Sequence, residues 1–222
     1  MSAVLESIGS SREKWPWAGV AAGIGGLVAT ALTDLHVGPD DETKTQAVVN
    51  EVSQRSAHIG VVAGYVTVAL LLVLAAQWRG SIERRLTEST AARMVAPGLA
   101  AAAGALSLGY GWKGALAIYL PDGSEPNTYD DAGLYVYYML SDFGGYIGWL
   151  PVVVAAGAVA WMGLKERSLP MWIGGFSVLP VLGVVLATGI TGLPGFPALM
   201  AIPWLIVTFA GLGLHKAVAA TV

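Results

Sequence analysis

Six apolar stretches divide the chain, at residues 17–35, 57–78, 94–120, 134–164, 169–191 and 198–214, and polar segments separate most of them. A helix needs roughly 20 mostly apolar residues to cross the hydrocarbon core of a bilayer. The pattern therefore predicts an all-α fold: a polytopic membrane helical bundle of about six transmembrane helices, forming a single integral membrane domain over residues 1–222. The last two stretches are joined by Gly192-Leu193-Pro194-Gly195-Phe196-Pro197, whose glycines and prolines break a helix and make a tight turn. Pro97, Pro151, Pro180 and Pro203 fall inside spans, where each removes a backbone donor and can kink its helix. Two spans are too long: at 1.5 Å per residue, 94–120 reaches roughly 40 Å and 134–164 roughly 46 Å, against a core about 30 Å thick. The excess is expected to tilt or to project as a vestibule at one face.

The polar positions between the spans then give an orientation. With the N-terminus inside, the inner segments hold Arg12, Lys14, Arg79, Arg84, Arg85, Arg93, Lys165, Arg167 and Lys216, nine in all; the outer ones hold Lys44, Arg55 and Lys113, three. That bias is of the kind that orients helices positive side in, and six spans put both termini in the cytoplasm. The acids Asp40, Asp41, Glu42, Glu51, Asp122, Glu125, Asp130 and Asp131 fall outside. The N-terminal segment also has features of a cleavable signal peptide, with small residues at Ala29-Thr30-Ala31. Its apolar stretch is longer than a usual signal core and Glu6 and Glu13 dilute the basic flank, so it is read as the first span. Loss of that span would leave the other five oriented as before.

Composition narrows the classes. Of the 222 residues, 55% are hydrophobic and 12% charged, about half the charge of an ordinary soluble domain. The net charge of −3 gives no reason to expect nucleic acid as a partner. The absence of cysteine removes disulfides, thiolate catalysis and cysteine-ligated metals. Gly19/Gly23, Gly60/Gly64, Ala100/Gly104 and Gly144/Gly148 place small residues four apart. Such faces let helices approach closely; packing within the bundle is the simpler use, and a homo-oligomer or membrane-partner contact is the alternative.

Five ionisable residues do not fit the sorting: Asp34, His36, His58, Lys113 and Asp142 lie in or at the ends of apolar spans. Asp34 comes 17 residues after Trp17, His58 20 before Trp78, Lys113 19 after Met94 and Asp142 22 before Leu164. These offsets put four different helices' polar groups roughly 26–33 Å from the inner face, in one outer layer. An ionisable residue in a membrane helix is a functional candidate by default. Lys113 and Asp142, on neighbouring spans at similar depth, form the sharpest pair, with a structural ion pair or a snorkelling lysine as the alternative. His36 and His58 could supply nitrogen ligands to a metal or haem. No ligand spacing supports that, and neither metal nor cofactor is expected. Ser141 beside Asp142 lacks the Gly-x-Ser-x-Gly elbow of a hydrolase, and there is no phosphate-binding loop.

Aromatics crowd the same face. Tyr110, Trp112, Tyr119, Tyr129, Tyr135, Tyr137, Tyr138, Phe143, Tyr146 and Trp149 lie on the outer part of the third and fourth spans or between them. An interfacial belt accounts for most of these; a pocket for a lipid or small amphipathic ligand would use the same residues. The ligand-binding set read from sequence is Lys113, Asp142, Asp34, His58, Tyr110, Tyr138 and Tyr146.

Three short motifs carry a resemblance. Arg55-Ser-Ala-His-Ile-Gly-Val-Val-Ala-Gly64 opens the second span, Gly148-Trp149-Leu150-Pro151 lies in the fourth, and Ser168-Leu169-Pro170-x-x-x-Gly174 opens the fifth. In their order these features resemble a bacterial family of six-helix membrane proteins of unknown function. The resemblance implies a multi-pass protein of the bacterial plasma (inner) membrane and transfers no catalytic residue; Lys113 and Asp142 are not part of its pattern. The resulting expectation is a non-enzymatic protein that binds or transports a small amphipathic or lipid-like ligand at an outward-facing polar and aromatic vestibule between the second, third and fourth helices. The alternatives are an integral membrane enzyme with a histidine–carboxylate site in that layer and an accessory subunit of a membrane complex.

Overall fold

In a computed structural model, residues 14–35, 46–194 and 196–214 are described, and among them every regular element is helical. Helix α1 spans Pro16–Gly26 and continues as a wider, π-type turn over Leu27–Leu32. A short 3-10 segment, Gln46–Glu51, precedes α2 at Gln54–Trp78. Then follow α3 at Thr90–Tyr119, α4 at Asp131–Ile147, α5 at Leu150–Trp161, α6 at Met171–Thr191 and α7 at Phe196–Leu214. His36, Asp40, Asp41, Glu42, Lys44, His215 and Lys216, and the residues before Lys14, lie outside the described residues.

Local chemistry sets the ends. Ser53, Ser89 and Asp130 cap α2, α3 and α4 by accepting from the backbone N–H of Ser56, Ala92 and Gly133, which satisfies donors that a helix start leaves open. Pro16 and Pro151 stand in the first turns of α1 and α5, where the missing N–H costs nothing. Gly192 ends α6 in the left-handed conformation at φ 70°, as a helix C-terminus commonly requires.

Five helical segments are long and apolar enough to cross a membrane: Gln54–Glu83, Thr90–Tyr119, Asp131–Glu166, Met171–Thr191 and Phe196–Leu214. The sixth, Pro16–Leu32, is shorter and rises roughly 25 Å. The chain is a multi-pass membrane protein. Its outer surface is apolar, with Leu182, Val185, Leu186 and Ile190 of α6 and Val62, Val66 and Val73 of α2 all exposed. That is the surface a bilayer covers.

Neighbours in sequence are neighbours in space. α1 packs on α2, α2 on α3, α3 on both α4 and α5, α5 on α6 and α6 on α7, and α7 returns to α1 to close the ring. The end carrying Arg79, Arg84, Arg85, Arg93, Lys165 and Arg167 is here called the arginine-rich end, and the opposite one the tyrosine-rich end.

The fourth apolar stretch is not one overlong helix. It breaks at Gly148-Trp149 into α4 and α5. Pro151 cannot donate to the carbonyl of Ile147, so the ladder is interrupted there. The break turns the fully buried Trp149 toward α1, where its indole fills the place a side chain at Gly26 would need.

Two separate apolar clusters form the interior. The larger runs from the arginine-rich end up to Ala29, Tyr110 and Trp149 and includes Trp78, Trp204 and Phe209. The smaller, at the tyrosine-rich end, contains Leu35, Val48, Val49, Val52, Ala57, Leu116, Leu120, Leu134 and Tyr138. On the spans that contribute to both, the buried residues between the clusters are polar or small: Thr30 and Thr33 on the first, Gly60, Gly64 and Thr67 on the second, Lys113 on the third, and Ser141, Gly144 and Gly145 on the fourth, with Asp142 half-buried beside them.

Candidate functional site

This polar layer is the candidate site. Lys113 lies on α3 with only 4% of its surface exposed. Its ammonium donates to the carbonyl of Ala29 at 2.7 Å and to that of Thr33 at 2.9 Å. Both acceptors belong to the end of the first span. The π-type turn puts an extra residue into the helical ring there, with Thr33 N–H donating to Val28 at 3.1 Å, and the carbonyls that follow have no continuing helix to pair with. The Thr33 hydroxyl satisfies Val28 at 2.8 Å and shares Ala29 at 3.1 Å. A cation at this position also meets the negative end of the helix dipole. Lys113 is thus a capping group supplied to α1 by another helix.

Gly60 makes room for it. A Cβ there would stand 2.5 Å from Lys113 Cδ and 2.7 Å from the Thr33 hydroxyl, so any side chain at this position would have to displace the lysine stem or the helix end. Asp34 and Asp142 both lie within electrostatic range of the ammonium. The direct acceptors of the Lys113 ammonium are two backbone carbonyls at the end of the first span, and Asp34 and Asp142 contribute charge to its surroundings.

Below Lys113 the layer continues as a buried network. The hydroxyls of Thr30 and Tyr110 are 2.8 Å apart, the Trp149 indole donates to Thr30 at 3.4 Å, and Thr30 reaches the Gly145 carbonyl at 3.4 Å. Every member with a polar side chain is satisfied, as buried polar groups must be. The network then stops on the larger apolar cluster, which seals the half toward the arginine-rich end.

Toward the tyrosine-rich end the layer reaches the surface at Asp34, which is exposed. The Tyr146 hydroxyl donates to its carboxylate at 2.9 Å. Tyr146 has a second role, because its ring is one wall of an apolar cleft of about 260 Å³ lined also by Leu27, Thr30, Ala31, Ala198, Leu199, Ile202, Pro203 and Ile206. This cleft lies between α1, α4 and α7. The space between α2, α3 and α4, where sequence placed the vestibule, is filled instead by the smaller apolar cluster, to which the 3-10 segment contributes Val48 and Val49. Tyr138 is buried within that cluster and stacks on Tyr135 at 6.0 Å. Tyr119, Tyr129 and Tyr137 pack on one another at 4.9 to 6.1 Å, so the aromatic crowding closes this corner.

The seven residues read from sequence therefore separate. Lys113, Asp34, Asp142, Tyr110 and Tyr146 belong to the polar layer or its network. Tyr138 belongs to the apolar cluster above it. His58 is exposed on α2 and its side chain takes part in no hydrogen bond among the described residues, nor is Ser141 joined to it, since the serine donates to the Tyr138 carbonyl at 2.9 Å. No group of three or more metal-ligating side chains occurs among the described residues; His36 lies outside them. Sequence reasoning missed Thr30, Thr33 and Gly60. The signal that could have found them is a pair of threonines three apart, and hence on one helical face, at the same depth as Lys113.

No protein-family model matches the chain, and no curated protein or solved structure matches it either.

Proposed function

We propose that this is a plasma-membrane protein of bacterial type, with its arginine-rich end and both termini cytoplasmic, that binds or moves a small amphipathic or lipid-like ligand at the outer layer. One observation carries the reading: Tyr146 belongs at once to an apolar cleft and, through its hydroxyl, to the exposed carboxylate of Asp34. An apolar surface with a few polar groups at one edge is what recognition of an amphiphile needs. Lys113 serves the site by holding the end of α1, one wall of the cleft, and Asp142 shares its field. The sealed half beneath Thr30 and Trp149 favours binding over conduction, since passage would require the larger cluster to part. The charge bias supports the orientation, and the resemblance of three short motifs to a six-helix bacterial family is the support for the membrane named.

Titration of the purified full chain with a dansyl-labelled single-chain amphiphile tests this. Saturable binding of one molecule per chain, weakened roughly tenfold by Tyr146→Phe, is the expected result. Purely linear uptake, of the kind empty micelles give, would refute it.

A further inference from the structure

The arginine-rich end carries positive charge that the fold leaves without a counter-charge. We propose that it binds an anionic phospholipid of the adjoining leaflet, with Arg93, Lys165 and Arg167 holding the phosphate and the apolar surface beside them receiving the chains. This site is separate from the outer-layer cleft and does not depend on which leaflet the end faces.

Packing brings the three residues to one place. Ser89, the cap of α3, donates to the two carboxylate oxygens of Glu166 at 2.9 and 2.7 Å, so the start of α3 touches the turn between α5 and α6. Arg93 lies one helical turn beyond that contact, its N–H donating to the Ser89 carbonyl at 3.3 Å. Lys165 and Arg167 flank Glu166 in the chain. Their turn is held from within, because Ser168 donates to the Met162 carbonyl through its N–H at 3.0 Å and its hydroxyl at 3.3 Å. Arg93, Lys165 and Arg167 are all exposed.

The local acids do not neutralise them. Residues 84–93 and 165–167 hold five basic side chains and two acidic ones, a balance of +3. Glu83 faces Arg79 at 4.0 Å and Glu166 accepts from Ser89. Among the described residues none of Arg93, Lys165 and Arg167 forms an ion pair; the Arg93 guanidinium donates to the Thr90 hydroxyl at 3.5 Å. Guanidinium and ammonium groups suit phosphate oxygens, and basic residues at the edge of a membrane span attract anionic lipids. The neighbouring surface says that the anion carries chains. Trp161, four residues before Lys165, is 55% exposed, and Met94, Leu164, Met171 and Trp172 are exposed as well. Exposed tryptophan beside aliphatic side chains sits where chains meet headgroups. A phospholipid touches both this surface and the charges, whereas a soluble anion would touch the charges alone.

The test places the full chain in phosphatidylcholine nanodiscs with a trace of a photoreactive lipid, a diazirine near the carboxyl end of one chain. The head is either phosphatidylglycerol or phosphatidylcholine, the chains are the same, and labelled positions are mapped by peptide mass spectrometry. Phosphatidylglycerol should label the segments 94–97 and 161–172 saturably and about tenfold more than phosphatidylcholine. The two lipids should label Leu182 and Leu186, on the exposed face of α6, equally. Arg93→Gln should cut the preference about fivefold, the worth of one basic residue near a membrane surface. Arg93→Gln, Lys165→Gln and Arg167→Gln together should abolish it with the detergent-unfolding transition unchanged, since all three positions are exposed; should that variant unfold, the single replacement decides. Excess inorganic phosphate should not compete. Equal labelling by the two lipids, or a preference that survives the replacements, would overturn the proposal. So would a preference as strong around Lys14 and Trp17, which diffuse attraction to the whole end would give, or one abolished by phosphate, which a site for a free anion would give.

Discussion

At the scale of single residues, Lys113 changes meaning between sequence and structure. Its depth was legible: counting along four helices brought Asp34, His58, Lys113 and Asp142 to one layer, and the structure sets Asp34 and Asp142 in the field of Lys113 while His58 is exposed on α2. Its direct acceptors were not legible, because backbone carbonyls carry no residue signature and are exposed only where α1 widens and stops. Replacing Lys113 by Met leaves the carbonyls of Ala29 and Thr33 short of a donor within the bundle. We expect a loss of about 1–3 kcal/mol, read as an earlier unfolding transition of the purified chain on titration with denaturing detergent. No change in that transition would mean that the ammonium does not hold the helix end.

At the scale of elements, the fourth apolar stretch shows what hydropathy cannot see. Its run of residues reads as one helix, and Pro151 alone does not predict a break, since Pro97 lies within the continuous α3 and Pro180 within α6. The difference is tertiary: the break at Gly148-Trp149 delivers an indole to the Thr30 hydroxyl and to the surface of Gly26. The space where a vestibule was expected is filled for a related reason. The crowding of tyrosines on the third and fourth spans is visible in sequence, but which of them face one another is set by packing, and they pack together. Thr30→Val tests the junction, since it leaves the Tyr110 hydroxyl, fully buried, and the Trp149 N–H without a shared partner. Destabilisation of about 1–2 kcal/mol is expected, with tryptophan fluorescence altered in the folded state; an unchanged spectrum and stability would show that the network does not organise the break.

At the scale of the whole molecule, the helical membrane bundle was the most legible feature, with five of the six expected spans long enough to cross a bilayer and the first shorter, because span length and apolarity are sums over many residues and tolerate local error. The closing contact of α7 on α1 was not, since nothing in a chain's hydropathy says which non-consecutive helices meet. That contact matters, because it is α1 against α7 that frames the cleft and brings Asp34 to its rim. The bundle is packed with apolar side chains through its arginine-rich half and exposes Asp34 toward the tyrosine-rich end, which the proposed orientation places outside. The absence of cysteine makes one thiol at a time a clean reporter of this. The most direct measurement is the reaction of Asp34→Cys with a membrane-impermeant maleimide in oriented vesicles, beside Asp122→Cys and Arg85→Cys as references. The account predicts that the thiol at 34 reacts from the same side as the one at 122 and that the one at 85 reacts only from the opposite side. A thiol at 34 that reacts from the side of 85, or from neither, would contradict it.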